Sequence, residues 1–450
     1  MSKKSILFML LVGQVFLWTG SAFISVLYRL YDFYEPAQVT LFTEVLYYVM
    51  QAVGIALYAL CLKQKPQVSG GKRFAAISAL LTGVFTALAL FLESGIGVML
   101  MGLVMNIGIG LLSGVYLTRL AAQIPQQHRG QVFGFSYAIG SIGTWLLSLL
   151  YGGKLLQSGA AVYVFIALGA LSMFLTRYLK PIKVEPDTPQ IEIIQIDKKL
   201  FMLAVCIPLI CSVVNGLGYF FSAADLTGAL DPAFTRIFYA VGLIAAGIIN
   251  DKNRRYGAIC CIAALIFPFV GLALRNEIGI SVFLSIFSYI FYGFFSVYRV
   301  VLFADLAGKR DSFLYLAVFG LLAGRIGDAI GTFGGMALEG NQLLLTCAAA
   351  CAFIVCALLF FTLYHKLYIP RLSEKENTEA LLSEFETHYA FTSRQAEVFR
   401  LVIKGCSNAE ISSELFLSES TVKFHMKNIL KSSGCANRTE LTAKFHKTVL

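Results

Sequence analysis

Apolar residues form two kinds of pattern along this chain. Over the first 365 positions they gather in long runs separated by short polar breaks, and over the last sixty they recur as narrow stripes. Runs of about twenty residues lie near 5–28, 39–62, 74–92, 97–118, 131–151, 160–177, 200–222, 234–250, 257–274, 278–300, 313–333 and 343–364. Each is long enough, as a helix, to cross a hydrocarbon core of roughly 30 Å. The long loop from Arg177 to Lys199 divides these twelve into two sets of six. The first run lacks a small-residue cleavage site and reads as a retained helix. Residues 366–390 change character, and their segment Ser373-Glu-Lys-Glu-Asn-Thr-Glu-Ala380 reads as an exposed linker or a short surface helix.

From residue 391 onward the pattern is that of small amphipathic helices. Thr392-Ser-Arg-Gln395 and Ser407-Asn-Ala-Glu410 fit the capping box. In that motif a hydroxyl accepts from a free helix N–H while the Gln or Glu reaches back to the cap. Gly405 stands where the first helix has to stop, since glycine alone enters a left-handed turn at little cost. Ser418 caps a third helix running to about Ser432, with Gly434 beyond it. On that helix Val422, Met426 and Ile429 form an apolar stripe, while Lys423, Lys427 and Lys431 recur on another face beside Thr421 and Phe424. A helix with an apolar back and a lysine front fits the major groove of DNA. A lysine face taken alone is more often simply solvated, as most charged faces are.

The strings around that helix narrow the choice. Thr392-Ser-Arg-Gln-Ala-Glu-Val-Phe399, Gly405-Cys-Ser-Asn-Ala-Glu-Ile411, Leu417-Ser-Glu-Ser-Thr-Val-Lys-Phe-His-Met-Lys-Asn-Ile429 and Asn437-Arg-Thr-Glu-Leu441 together resemble the LuxR-type helix-turn-helix. The resemblance runs without a gap over the last sixty residues. It departs at Ser432-Ser433, where the family usually has Lys-Leu. It implies that Lys423, Phe424 and Lys427 read base edges, with Ser420, Thr421, His425 and Lys431 nearer the phosphate backbone. For His425 a phosphate contact and a packing role both remain open. The fourth helix, from about Arg438, places Leu441, Phe445 and Val449 on one stripe. The resemblance implies that this helix pairs two domains as a homodimer on a two-half-site operator. Closure of the small core is the alternative use of that stripe. From Phe391 onward nine Lys or Arg stand against five Asp or Glu, a net of +4. Binding to DNA is therefore expected to weaken with salt, by roughly 0.9 log units per phosphate neutralised per tenfold salt.

Composition separates the remainder from soluble proteins. The chain is 58% hydrophobic and only 14% charged, against roughly 25% charged residues in average soluble domains. Loop charge supplies an orientation. Lys3, Lys4, Lys63, Lys65, Arg119, Arg129, Arg177, Lys180, Lys252, Arg254 and Lys366 are expected on one side, and few cations on the other. The positive-inside rule then puts both termini in the cytoplasm of a cell whose inner membrane holds the chain. Twelve spans in a six-plus-six layout resemble the major facilitator superfamily. Gly247-Ile-Ile-Asn-Asp251-Lys-Asn-Arg-Arg255 resembles that superfamily's charged loop, with Arg254 in place of its glycine. Arg129-Gly130 with Gly134, Gly140 and Gly143 resembles the start of its fifth span. The equivalent first-half loop, Lys63 to Arg73, lacks the aspartate.

Polar groups inside spans are costly and therefore mark candidate sites. Arg325 and Asp328 sit three apart on the eleventh span, where they either neutralise each other or hold a ligand. Asn106, Asn215 and Arg299 complete the candidate ligand pocket, with Gln14 and Glu44 as further polar positions. The tenth span is aromatic-rich. Most of the ten cysteines fall inside spans and show neither Cys-x-x-Cys nor Cys/His metal spacing, so no metal site or disulfide framework is expected. No nucleotide-binding loop or catalytic triad is evident, so neither an enzyme nor a cofactor is expected. The fold class expected is all-α: a polytopic transmembrane bundle at 1–365, a linker at 366–390 and a four-helix DNA-binding domain at 391–450. The function expected is a membrane-anchored one-component regulator responding to a small molecule. A solute transporter with an autoregulatory DNA-binding tail is the rival.

Overall fold

A computed structural model describes the chain apart from residues 151–153, 183–197, 224–231, 265, 267–277, 309–310, 339, 369–373 and 449–450. It divides into two compact units, Met1–Tyr368 and Ile369–Leu450.

The first unit is built of helices α1 (Lys3–Tyr31), α2 (Pro36–Gln64), α3 (Lys72–Phe91), α4 (Gly95–Gln123), α5 (Arg129–Leu149) and α6 (Ala161–Leu175). A second set follows: α7 (Lys198–Ala223), α8 (Pro232–Lys252), α9 (Arg254–Ala264), α10 (Ile278–Ala307), α11 (Phe319–Leu338) and α12 (Gln342–Tyr368). Among the described residues ten helices are long and apolar enough to cross a membrane. Helix is the form expected there, because hydrocarbon offers no partner to a free backbone N–H or C=O. The span expected at 234–250 coincides with α8. The one expected at 257–274 opens in α9, and most of the rest of it lies outside the described residues.

Within the first half α1 packs on α5, α2 on α4, and α3 on α4 and α6; within the second, α7 packs on α11 and α12, and α8 on α10. The halves meet where α5 crosses α8 and α2 crosses α11. The α5–α8 crossing is close because glycines line it. A Cβ at Gly134 would collide with the Leu243 carbonyl oxygen, and one at Gly247 would lie 2.6 Å from that of Gly130. Larger residues would force these helices apart.

Two cations that the sequence assigns to solvated loops are buried. Arg119 is 0% exposed and donates to the carbonyls of Val115 (2.9 Å), Gly70 (2.7 Å) and Lys180 (3.2 Å). It thus ties α4 to the polypeptide before α3 and after α6. Arg129, at the start of α5, donates to the Ala121 carbonyl at 2.6 Å and pairs with Asp305 at 3.0 Å. Asp305 also receives Arg254 at 2.8 Å, and Arg254 reaches Asp251 at 2.8 Å. Asp251 in turn accepts from the Gly130 and Gln131 amides at 2.8 and 2.7 Å. A carboxylate against free amides at a helix start is favourable for both. The resulting network joins α5 of the first half to α8, α9 and α10 of the second.

The second unit holds α13 (Glu374–His388), α14 (Ser393–Ile403), α15 (Asn408–Glu414), α16 (Glu419–Ser433) and α17 (Arg438–Thr448). Both capping boxes form, at Thr392/Gln395 and Ser407/Glu410. Ser418 caps α16 through the Thr421 amide at 3.2 Å. Gly405 and Gly434 take φ of +90° and +66°, closing α14 and α16. The core holds Phe399 and Val402 of α14, Ile411 of α15 and Val422, Met426 and Ile429 of α16. It also holds Leu382 and Phe385 of α13. The Phe385 ring stacks on Phe399 with centroids 5.0 Å apart. Arg400 of α14 binds Glu386 at 2.7 Å and Glu379 at 2.8 Å. The stretch expected as a linker or short surface helix is thus helical over Glu374–His388 and packs into the tail.

Candidate DNA-binding face and candidate ligand cavity

The face of α16 opposite the core carries Lys423, Phe424, Lys427 and Lys431, all exposed, with Phe424 62% exposed. Their exposure follows from the 3.6-residue period, which sends Val422, Met426 and Ile429 inward and turns the lysines outward. Ser420 is exposed and Thr421 half-buried at the start of the helix, where Ser418 Oγ lies 2.7 Å from Ser420 Oγ and 2.8 Å from Thr421 Oγ1. His425 is half-buried, its ring 5.7 Å from that of Phe424. The arrangement is an N-terminal cluster of hydroxyls followed by lysines one turn apart. It suits phosphate contact at the helix start and base contact along its flank.

Leu441 and Phe445 lie elsewhere. They are 0% and 2% exposed and complete the core, with Phe445 5.7 Å from Phe399 and 5.6 Å from Phe385. These two side chains are enclosed in the core of the domain to which they belong. Val449 lies outside the described residues. One feature of this unit had no signal in the periodicity. Phe416, in the turn before α16, is 95% exposed and holds a left-handed φ of +53°. A bulky residue rarely adopts that conformation.

In the membrane unit a cavity of about 290 Å³ lies between the halves, walled by α1, α2, α4 and α5 on one side and α8, α10 and α11 on the other. Of the candidate pocket residues, Arg325 stands on its wall. Asp328 is buried behind it, 3.6 Å from Arg325 and 3.6 Å from Arg299. Arg299 also donates to Ser212 at 3.2 Å. Asn106 is fully buried and accepts from Gln51, which does line the cavity, at 2.7 Å. Asn215 is not on the wall, and its amide nitrogen has no partner among the described residues. Gln14 is structural, bridging α1 to α6 through the Leu168 carbonyl and Ser172. Glu44 lines the cavity from a π-helical turn, Leu41–Leu46, a distortion found often at functional sites. Tyr289 and Tyr292 of the aromatic α10 face the cavity, whereas Phe295 and Tyr298 are buried in the second half. Sequence reasoning did not single out Tyr48, Tyr137 or Tyr239 on the wall, because nothing local distinguishes them from other tyrosines in spans. Among the described residues no group of His, Cys, Asp or Glu is placed to hold a metal, and all ten cysteines are free.

The membrane unit has the fold of solved transporters. The E. coli fucose:proton symporter FucP superposes with a TM-score of 0.58 at 11% identity, covering 80% of this chain and 99% of that one. A second FucP structure, described as a major facilitator superfamily transporter in the outward conformation, gives 0.58 at 12% identity, covering 78% and 98%. The tail matches the luxR family of bacterial regulatory proteins (GerE) over residues 389–445. Spore germination protein GerE of Bacillus subtilis is 39% identical over 57 residues, 13% of this chain and 77% of that protein. Transcriptional regulatory protein LiaR of the same organism is 36% identical over 63 residues, 14% of this chain and 30% of that protein. By its C-terminal unit, this chain belongs to the luxR family of bacterial regulatory proteins, joined here to a multi-pass membrane unit of major-facilitator fold.

Proposed function

We propose that this protein is a membrane-anchored one-component transcriptional regulator. A small molecule enters the cavity between the two membrane halves, and the tail binds a specific DNA site through α16. The observation that carries this reading is the exposed row Lys423, Lys427 and Lys431, with Phe424 beside it, backed by a fully formed core. The relatives of the tail bear the names of transcriptional regulators. The chain sits in the inner membrane with both termini in the cytoplasm, a reading supported by the cation bias of one set of loops. Two copies bind a two-half-site operator. Because Leu441 and Phe445 are enclosed, pairing uses the outward face of α17, where Thr439 and Ala443 are exposed. A ligand acts by binding one arrangement of the two halves better than another. The Arg129–Asp305–Arg254–Asp251 network is a set of contacts that such a rearrangement would break.

A genome-wide map of crosslinked DNA, beside a Lys423→Ala/Lys427→Ala version at equal membrane abundance, tests this reading. Sharp peaks lost in the variant support it; peaks unchanged by the double substitution reject α16 as the reading helix. The second reading, a solute transporter whose tail controls its own genes, is favoured by the FucP-like fold and the cavity between the two halves. Solute uptake by the purified protein in vesicles separates the two.

A further inference from the structure

The wall of the cavity carries two charged residues, Glu44 and Arg325, and they are not equivalent. Glu44 already has a partner inside the protein. Arg325 makes no hydrogen bond among the described residues. Its contacts are the Asp328 carboxylate at 3.6 Å and the face of Tyr48 at 4.5 Å, and its Nε is buried without an acceptor. Asp328 cannot serve it fully, because the same oxygen lies 3.6 Å from Arg299. Two guanidinium groups thus share one carboxylate at more than hydrogen-bond length, and the cavity-facing one keeps its fork of donors unused. A guanidinium with free donors on a cavity wall suits a planar anionic acceptor, which it binds in bidentate fashion.

Ten aromatic side chains also line the wall, among aliphatic residues and a few hydroxyl-bearing ones such as Thr19 and Thr144. Phe16 stacks on Tyr137 at 4.7 Å, Tyr137 meets Tyr239 edge-on at 5.4 Å, and Tyr239 lies 5.4 Å from Tyr292. Ring packing of this kind favours another ring. Since a cavity of about 150 Å³ holds benzene, one of about 290 Å³ has room for a single ring with a short acidic side chain.

From this we infer that the ligand of the membrane unit is a small aromatic monocarboxylate, its carboxylate on Arg325 and its ring against Tyr137, Tyr239 and Tyr292. The inference rests on the reading that this cavity is the input site, and it names what the site takes. It is tested by binding to the purified full-length protein in detergent, measured by titration calorimetry with benzoate, phenylacetate and 3-phenylpropionate. Each is compared with its alcohol (benzyl alcohol, 2-phenylethanol, 3-phenylpropanol), and acetate and 2-phenylethylamine complete the set. The expected result is that at least one aromatic acid binds roughly ten- to a hundredfold more tightly than its alcohol, the span set by charge-assisted hydrogen bonds, with acetate too weak to detect. Arg325→Met removes that preference and Arg325→Lys reduces it. If Arg325→Met does not fold, the acid-to-alcohol ratio of the unaltered protein decides alone. Equal binding of acids and alcohols, tightest binding of the amine, or no binding by any of the three acids overturns the inference. The readout does not involve DNA. A tail indifferent to an acid that binds as described would sink the sensor reading and leave the ligand class standing.

Discussion

Replacing Phe385 by alanine tests whether α13 belongs to the DNA-binding unit. The side chain is 5% exposed, stacks on Phe399 at 5.0 Å and meets Phe445 edge-on at 5.6 Å. Removing a buried phenylalanine costs about 3–5 kcal/mol, the lost transfer energy plus the cavity left behind. A unit of roughly 80 residues is stable by about 4–12 kcal/mol in all, so the change removes a large share. The measurement is urea unfolding of the isolated tail, residues 369–450, followed by far-ultraviolet circular dichroism. At a slope near 1 kcal/mol per molar urea, the midpoint falls by about 3–5 M, or the variant is unfolded in water. Glu379→Ala is the control. Its pair with Arg400 joins side chains 58% and 35% exposed, and such pairs contribute less than about 1 kcal/mol. A loss for Phe385→Ala no larger than that of the control would refute the reasoning and return α13 to the status of a linker.

Other expectations are shorter to state. Lys423→Ala is expected to reduce the slope of log affinity against log salt by about 0.9 if that lysine contacts a phosphate, and to relax sequence preference at fixed salt if it reads a base; fluorescence anisotropy on operator DNA distinguishes these. Phe416→Gly is expected to raise tail stability by up to about 1 kcal/mol, because it relieves a left-handed φ at a side chain that is 95% exposed; a fall in the urea midpoint would contradict this. The Ser407 amide holds the Glu410 carboxyl below its ordinary value. A depressed carboxylate stabilises the folded state above its unfolded pKa and loses that contribution as pH falls through the folded value. Tail stability should therefore drop as pH is lowered from about 5, and Glu410→Gln should flatten the drop in the pH-dependence of the urea midpoint. Asp251→Ala leaves two helix-start amides without their acceptor and removes one of the two carboxylates that hold Arg254, and is expected to lower the melting temperature of the detergent-solubilised protein far more than Asp32→Ala, whose pair with Arg29 is partly exposed.

Much was legible in the residue order because the interactions concerned are local. Capping boxes act over three residues, glycine stops act at one, and the inward and outward faces of α16 follow from the helix period. The long apolar runs likewise announce membrane helices with no knowledge of their neighbours, because a bilayer imposes the same demand on each. What tertiary structure alone decided were matters of contact between distant segments. Arg119 and Arg129 read as loop cations, yet carbonyls from other segments surround them and make burial tolerable. Leu441 and Phe445 formed a stripe fit for either a core or a partner, and both are buried in the core of the packed domain. The polar charge pattern of 373–380 hid Leu382 and Phe385 just downstream, whose apolar stripe is too short to announce a packed helix. Arg325 and Asp328 are paired by their spacing of three, but a helix carries no record of Arg299, which arrives from α10 and leaves Arg325 with unused donors at the cavity wall. Periodicity specifies which way a side chain points; only the packed bundle specifies what it meets.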